Sequence, residues 1–225
     1  MLTVQNLSKR YRSNRGVFDL NYNFEEGNIY ALVGPNGVGK TTLLQMIAGI
    51  VNPSEGNVML DGKNTLLRAN KSNIGYAIDF SADYSKMTII QFLNMLCDIK
   101  FNGAYKEQIP VLMDEYELVM EKRTRLDHCS LGMKKKVGII ASLIGSPKLV
   151  LLDEPTNGID TSGLLCLKRH LYDARKNNQI VIISSHILDF VDAINAQIIF
   201  LKDGKIVDCE GKTTEEKYRK LLENT

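Results

Sequence analysis

Residues 34–42 read GPNGVGKTT and fill the pattern GxxxxGK[ST]. An apolar run, NIYALV (28–33), precedes the stretch, and a helical pattern, TTLLQMIAGI (41–50), follows it. That context is what the pattern requires of a phosphate-binding loop. Glycines let the backbone curl so that successive N–H groups point at one anion. The helix start adds its partial positive charge. A plain glycine turn before a helix would need neither the Lys-Thr pair nor both flanks. Gly34, Pro35, Asn36, Gly37, Val38, Gly39, Lys40, Thr41 and Thr42 are therefore candidate nucleotide-binding residues. Lys40 would reach the β- and γ-phosphates, and the Thr41 hydroxyl would ligate Mg²⁺.

A phosphate loop needs a carboxylate for the metal, and LVLLDEP (149–155) supplies one. Four apolar residues carry Asp153 to the C-terminal end of a buried strand, where ligand sites of α/β sheets lie. Glu154 stands next to it and can take a proton from an attacking water. The same residues could form a solvated acidic turn closed by Pro155. The loop at Gly34 favours a metal ligand and a general base.

Outward from these motifs, LTVQNL (2–7), YNFEEG (22–27) and NVMLDG (57–62) alternate apolar and polar residues between glycines, which predicts a half-exposed antiparallel sheet. From Thr88 to Ser146 the pattern turns helical. LVLLD, IVIIS (180–184) and AQIIFL (196–201) are β-branched runs separated by helical stretches, the mark of a parallel sheet covered on both faces. KIVDCEG (205–211) returns to a strand, and TTEEKYRKLLENT (213–225) reads as a charged terminal helix. The expected fold is α/β, a mainly parallel sheet flanked by helices, with an antiparallel β lobe and an inserted helical lobe at about 88–146. One domain is expected over 1–225.

Composition narrows the function. With 28 Lys+Arg against 26 Asp+Glu, the net charge of +2 is too mild to imply nucleic acid. The four cysteines, Cys97, Cys129, Cys166 and Cys209, form no CxxC pair and read as reduced thiols of a cytosolic protein. The first residues, MLTVQNLSKRYRSN, lack the apolar core of a signal peptide, and no run reaches the roughly 18 apolar residues of a membrane helix. Any work at a membrane is expected to go through a partner.

With the phosphate loop, SLGMKKK (130–136), LLDEPTNGID (151–160) and SSH (184–186) in this order, the chain resembles the ATP-binding subunits of ABC transporters from end to end. A phosphate loop by itself would also suit a kinase or a GTPase, but no guanine-reading NKxD occurs. The resemblance implies a P-loop NTPase core and a role for each matching position. Tyr11 takes the place of the aromatic that stacks on adenine, although it could equally be a surface strand residue. His186 matches the histidine that contacts the γ-phosphate and positions the water. Asp160 ends the loop that passes between two subunits.

Cys129–Met133 match the family's signature, with Ser130 and Gly132 kept, while Leu131 and Met133 replace a glycine and a glutamine. Ser130, Gly132 and Asp160 are thereby expected to act in trans, on the nucleotide of a second copy. Behind them Val137, Ile140, Ala141 and Ile144 recur at helical spacing and predict a buried stripe. Lys134, Lys135 and Lys136 point about 100° apart around that helix, which excludes a nucleic-acid stripe and suggests a solvated face.

IGYAIDFSADYSKMT (74–88) places Asp79 where ordinary family members carry a glutamine that touches Mg²⁺ and the water. Exporters similar to those giving self-protection against bacitracin and lantibiotic peptides often carry an acid there, and a signature close to SLGMKKK. Aspartate can ligate Mg²⁺ but donates no hydrogen bond, so slower basal hydrolysis or altered coupling is expected. The resemblance thus implies an ATPase that takes ATP and Mg²⁺, pairs with a second copy of itself and powers a separate membrane permease. Export of a peptide antibiotic or drug-like compound is the expected task. It would sit in the cytoplasm, peripheral to the cell membrane through the permease, with no direct membrane insertion and no nucleic acid. Two alternatives stay open: an ATP-gated regulatory module with weak hydrolysis, and a non-transport ABC ATPase acting on ribosomes or DNA.

Overall fold

The computed structural model describes residues 1–11, 16–77 and 84–223. The N-terminal part lays down β1 (Leu2–Arg10), β2 (Gly16–Phe24), β3 (Ile29–Val33), α1 (Lys40–Ile47), β4 (Glu55–Leu60) and the two-residue β5 (Lys63–Asn64). The alternating segments become one antiparallel sheet in the order β2–β1–β4–β5. Leu2 stands opposite both Phe24 and Leu60, so the inward positions of three strands meet on one face. β3 leaves this sheet, because its five residues are all buried and an antiparallel lobe with one wet face cannot cover both sides.

β3 joins β6 (Ile74–Tyr76), β7 (Leu149–Leu152), β8 (Ile180–Ser184), β9 (Gln197–Lys202) and β10 (Lys205–Val207) in a second sheet, ordered β10–β9–β3–β8–β7–β6. All its pairings are parallel except that of β10 with β9. Strand pleating divides each apolar run between two cores. Ile29, Ala31, Val33, Val150, Leu152, Val181 and Ile183 face the helical lobe. Tyr30, Leu32, Leu149, Leu151, Ile180 and Ile182 face α1 and the antiparallel sheet.

The helical lobe comprises α2 (Ile89–Phe101), α3 (Gln108–Glu115) and α4 (Leu131–Leu143), inserted between β6 and β7 where it was expected. A capping box starts α2: the Thr88 hydroxyl accepts from Gln91 N, and the Gln91 side chain accepts from Thr88 N. After β7 come α5 (Thr161–Lys176), α6 (Leu188–Ala193) and, at the end of the described chain, α7 (Thr214–Glu223). Among the described residues, no helix is long and apolar enough to cross a membrane.

Two expectations need correction. IGY was read only as the approach to Asp79, yet it is the edge strand β6, pairing with β7 from Ile74–Leu149 to Tyr76–Leu151. The lysines of α4 do not form a solvated face. Lys136 is buried and ion-paired with Asp160 at 2.8 Å, and Lys135 donates to the Asp153 carbonyl at 3.0 Å. The stripe of Val137, Ile140, Ala141 and Ile144 is buried as expected, but so are Gly138, Ile139 and Ser142, since α4 is enclosed on more than one side.

Candidate functional site

Strand register sets the site. Leu32 of β3 pairs with Ser184 of β8, and Leu152 of β7 pairs with Ile183. The loop after β3, the acids after β7 and the Ser-Ser-His after β8 therefore leave the sheet at the same edge, the C-terminal edge of its parallel strands.

In the phosphate loop, Gly39 is the N-cap of α1 with φ at 111°, a conformation that favours glycine. No side chain caps this turn and no acid sits in it, so its N–H groups suit an anion. The Lys40 ammonium is drawn back over the loop, donating to Gly34 O at 2.8 Å and Pro35 O at 3.1 Å. Burial holds Lys40 below the ordinary lysine range, while Glu154 and Asp153 pull it back up. A cavity of about 210 Å³ is lined by Asn36, Gly37 and Gly39–Thr42 of the loop together with Asp153 and Glu154.

The Asp153 carboxylate is held at both oxygens. Thr41 Oγ1 donates to one at 2.7 Å, and Ser184 Oγ donates to the other at 2.5 Å. These are hard oxygen donors at the mouth of an anion loop, a set that fits a small divalent cation. The same Ser184 hydroxyl accepts from Glu154 N at 2.8 Å. Glu154 takes a left-handed backbone, φ 44°, which costs on the order of 1 kcal/mol and is held by that bond and by Asn157 N on its carbonyl. The His186 ring then meets Glu154, Nδ1 to Oε2 at 2.8 Å. With Nδ1 donating to the carboxylate, Nε2 is left for a ligand.

Lys40, Thr41, Asp153, Glu154 and His186 thus converge. Ser130, Gly132 and Asp160 form a separate group on the α4 side. Ser130 is the N-cap of α4, its hydroxyl accepting from Met133 N at 3.1 Å. Gly132 has no room for a side chain, because a Cβ there would stand 2.4 Å from Gly158 O. Asp160 caps α5, accepting from Gly163 N at 2.9 Å and from Lys136. Those two bonds hold its carboxyl below the usual carboxylate range. Lys135, on the Asp153 carbonyl, ties this group to the first.

Tyr11 follows β1 and faces solvent, with the Lys9 ammonium 5.9 Å from its ring centre. A cavity of about 480 Å³ beside the phosphate loop is lined by Gly16, Phe18, Pro35–Val38, Lys202–Gly204 and Leu221, without Tyr11. Asp79 lies outside the described residues. Sequence reasoning missed Ser184, Lys135 and Lys136. Ser184 was in view as part of SSH, at the end of a buried strand beside a candidate metal acid, but only its histidine was assigned a role.

A family model described as ABC transporter matches residues 17–157. The lantibiotic transport ATP-binding protein SrtF of Streptococcus pyogenes is 33% identical over 224 residues, covering 100% of this chain and 96% of that protein. The bacitracin transport ATP-binding protein BcrA of Bacillus licheniformis is 31% identical over 212 residues, covering 92% and 69%. Among solved structures, an ATP-binding subunit of an ABC transporter superposes with a TM-score of 0.88 at 23% identity, covering 99% of each chain. A dimeric ATP-binding cassette in a post-hydrolysis state with ADP and Pi gives 0.81 at 23% identity, covering 92% and 97%.

Proposed function

The chain belongs to the ABC transporter family, and on that footing we propose that it is the ATP-binding and ATP-hydrolysing subunit of a transporter, working as a pair of copies on a separate membrane permease. The carrying observation is the convergence of the phosphate loop, the Thr41–Asp153 pair and the Glu154–His186 pair at one sheet edge. On this reading Lys40 turns from the loop carbonyls to the β- and γ-phosphates. Thr41 and Asp153 hold Mg²⁺, which when bound neutralises charge on those phosphates. Glu154 takes the proton of the attacking water, and His186, oriented through Nδ1, steadies water and γ-phosphate with Nε2. Asp79 is proposed to slow basal hydrolysis or alter coupling, by replacing a donor with a charge.

Export of a peptide antibiotic or drug-like compound is supported by the names of the lantibiotic and bacitracin transport relatives. A groove of about 610 Å³ between the 3₁₀ turn Arg68–Asn73 and α2 suits the permease's cytoplasmic face. It is lined by apolar Met95, Leu96 and outward-facing Ile99, together with Arg68 and Lys100. Attachment through such a groove would keep the subunit at the inner face of the membrane.

Glu154→Gln tests the assignment. It should retain ATP and accumulate an ATP-bound pair on size exclusion, while phosphate release falls more than about a hundredfold. A variant that hydrolysed ATP at the wild-type rate would reject Glu154 as the base. A wild type that released no phosphate, alone or with its permease, would favour the regulatory alternative.

A further inference from the structure

Away from the nucleotide, the end of α3 meets one face of α5. Cys166 and His170 are four residues apart on α5 and so share that face, with Glu115 opposite. One donor atom from each of the three lies within 4.8 Å of the other two. Cys166 is buried, and Glu115 and His170 are partly so. His170 Nε2 lies 2.9 Å from Glu115 Oε2, yet this buried nitrogen makes no aligned hydrogen bond. A buried ring nitrogen held against a carboxylate at a poor hydrogen-bond angle is a costly arrangement in a folded protein.

A second such group adjoins it. Tyr116 is fully buried and stacks on His170, ring centres 5.6 Å apart and planes 10° from parallel, and its hydroxyl makes no well-aligned hydrogen bond, with the Cys166 thiol as its side-chain neighbour. Arg169 is the competing cation, 2.9 Å from Glu115 Oε1 and 3.6 Å from Cys166 Sγ. Its side chain is 55% exposed.

We propose that Glu115, Cys166 and His170 bind a borderline divalent transition ion, Zn²⁺ by the donor set, with water completing the shell. Thiolate, imidazole and carboxylate are the three ligand types zinc takes. At zinc bond lengths, tetrahedral ligand atoms stand about 3.3–3.8 Å apart, so the cluster closes with side-chain shifts of about 1 Å. Binding releases the Cys166 proton to solvent. Thiolate and carboxylate then balance the ion's charge, and the ion takes over Arg169's place on Glu115. Because α3 belongs to the helical lobe and α5 packs on β8, the ion staples lobe to core.

The test uses the full, untagged, reduced chain and Co²⁺ as an optical probe. Equimolar Co²⁺ should give thiolate-to-metal absorption that Zn²⁺ removes. Cys166→Ser should abolish the band, and Glu115→Gln and His170→Gln should each weaken binding more than about tenfold, the scale on which even outer-shell partners act. Cys209→Ser should leave it intact. Zn²⁺ should also raise the Tm of the wild type but not of His170→Gln. Absence of the band in wild type, or its survival in Cys166→Ser, overturns the proposal. If Cys166→Ser failed to fold, unweakened binding in folded Glu115→Gln and His170→Gln would overturn it as well. None of these readouts depends on ATP turnover.

Discussion

At the scale of single residues, the pair Lys136–Asp160 is unequal. The lysine side chain is 7% exposed and the aspartate 58%. Removing the buried charge therefore differs from removing its partner. Asp160→Asn keeps a good N-cap for α5 but leaves the Lys136 ammonium buried beside a neutral amide. It should cost about 1–2 kcal/mol, below the buried-pair scale because one partner is half in water. Lys136→Met fills the same space without a charge and should be near neutral. Urea unfolding midpoints of the two variants check the order, and equal losses would show that the ion pair is not what holds this corner.

At the scale of elements, α2 carries a misplaced charge. Lys100, near its C-terminus, donates to Ile74 O at 2.7 Å, and burial pushes its pKa down to about 8. Below about pH 8 both folded and unfolded chains hold this proton, and the folded one bears the cost of burying it. Between about pH 8 and 10.5 only the unfolded chain holds it, so this group's contribution to stability rises with pH through that window and then levels. Lys100→Met should therefore gain most on wild type below pH 8 and lose that advantage towards pH 10.5. Thermal unfolding across the range checks this, and a difference independent of pH would contradict it. Elements such as β3 and the phosphate loop were legible because their signal is local, an apolar run or nine contiguous residues. β6 was not, since three residues carry no readable period. Ser184, Lys135 and Lys136 were missed because each acquires its meaning from an acid 18 to 31 positions away.

At the scale of the molecule, two cores lie on the two faces of one parallel sheet, and the site gathers at its C-terminal edge. Ser130 stands apart from that edge, which supports its use on a second copy's nucleotide. Ser130→Arg would block such a role but also strip the cap of α4. Ser130→Asp keeps a capping oxygen while setting a negative charge against the partner's phosphates. It should bind ATP normally as a monomer, yet fail to pair or hydrolyse, as followed by light scattering and phosphate release. Normal pairing would refute the trans role. The close approach of Gly132 to Gly158 gives this a mechanical side. With Lys136 clasped to Asp160, the segment that would grip the neighbour's ATP and the loop leading into the chain's own α5 travel as one piece. A side chain placed at Gly132 should therefore displace the Gly158 loop together with the start of α4, and with it whatever that segment holds in a pair.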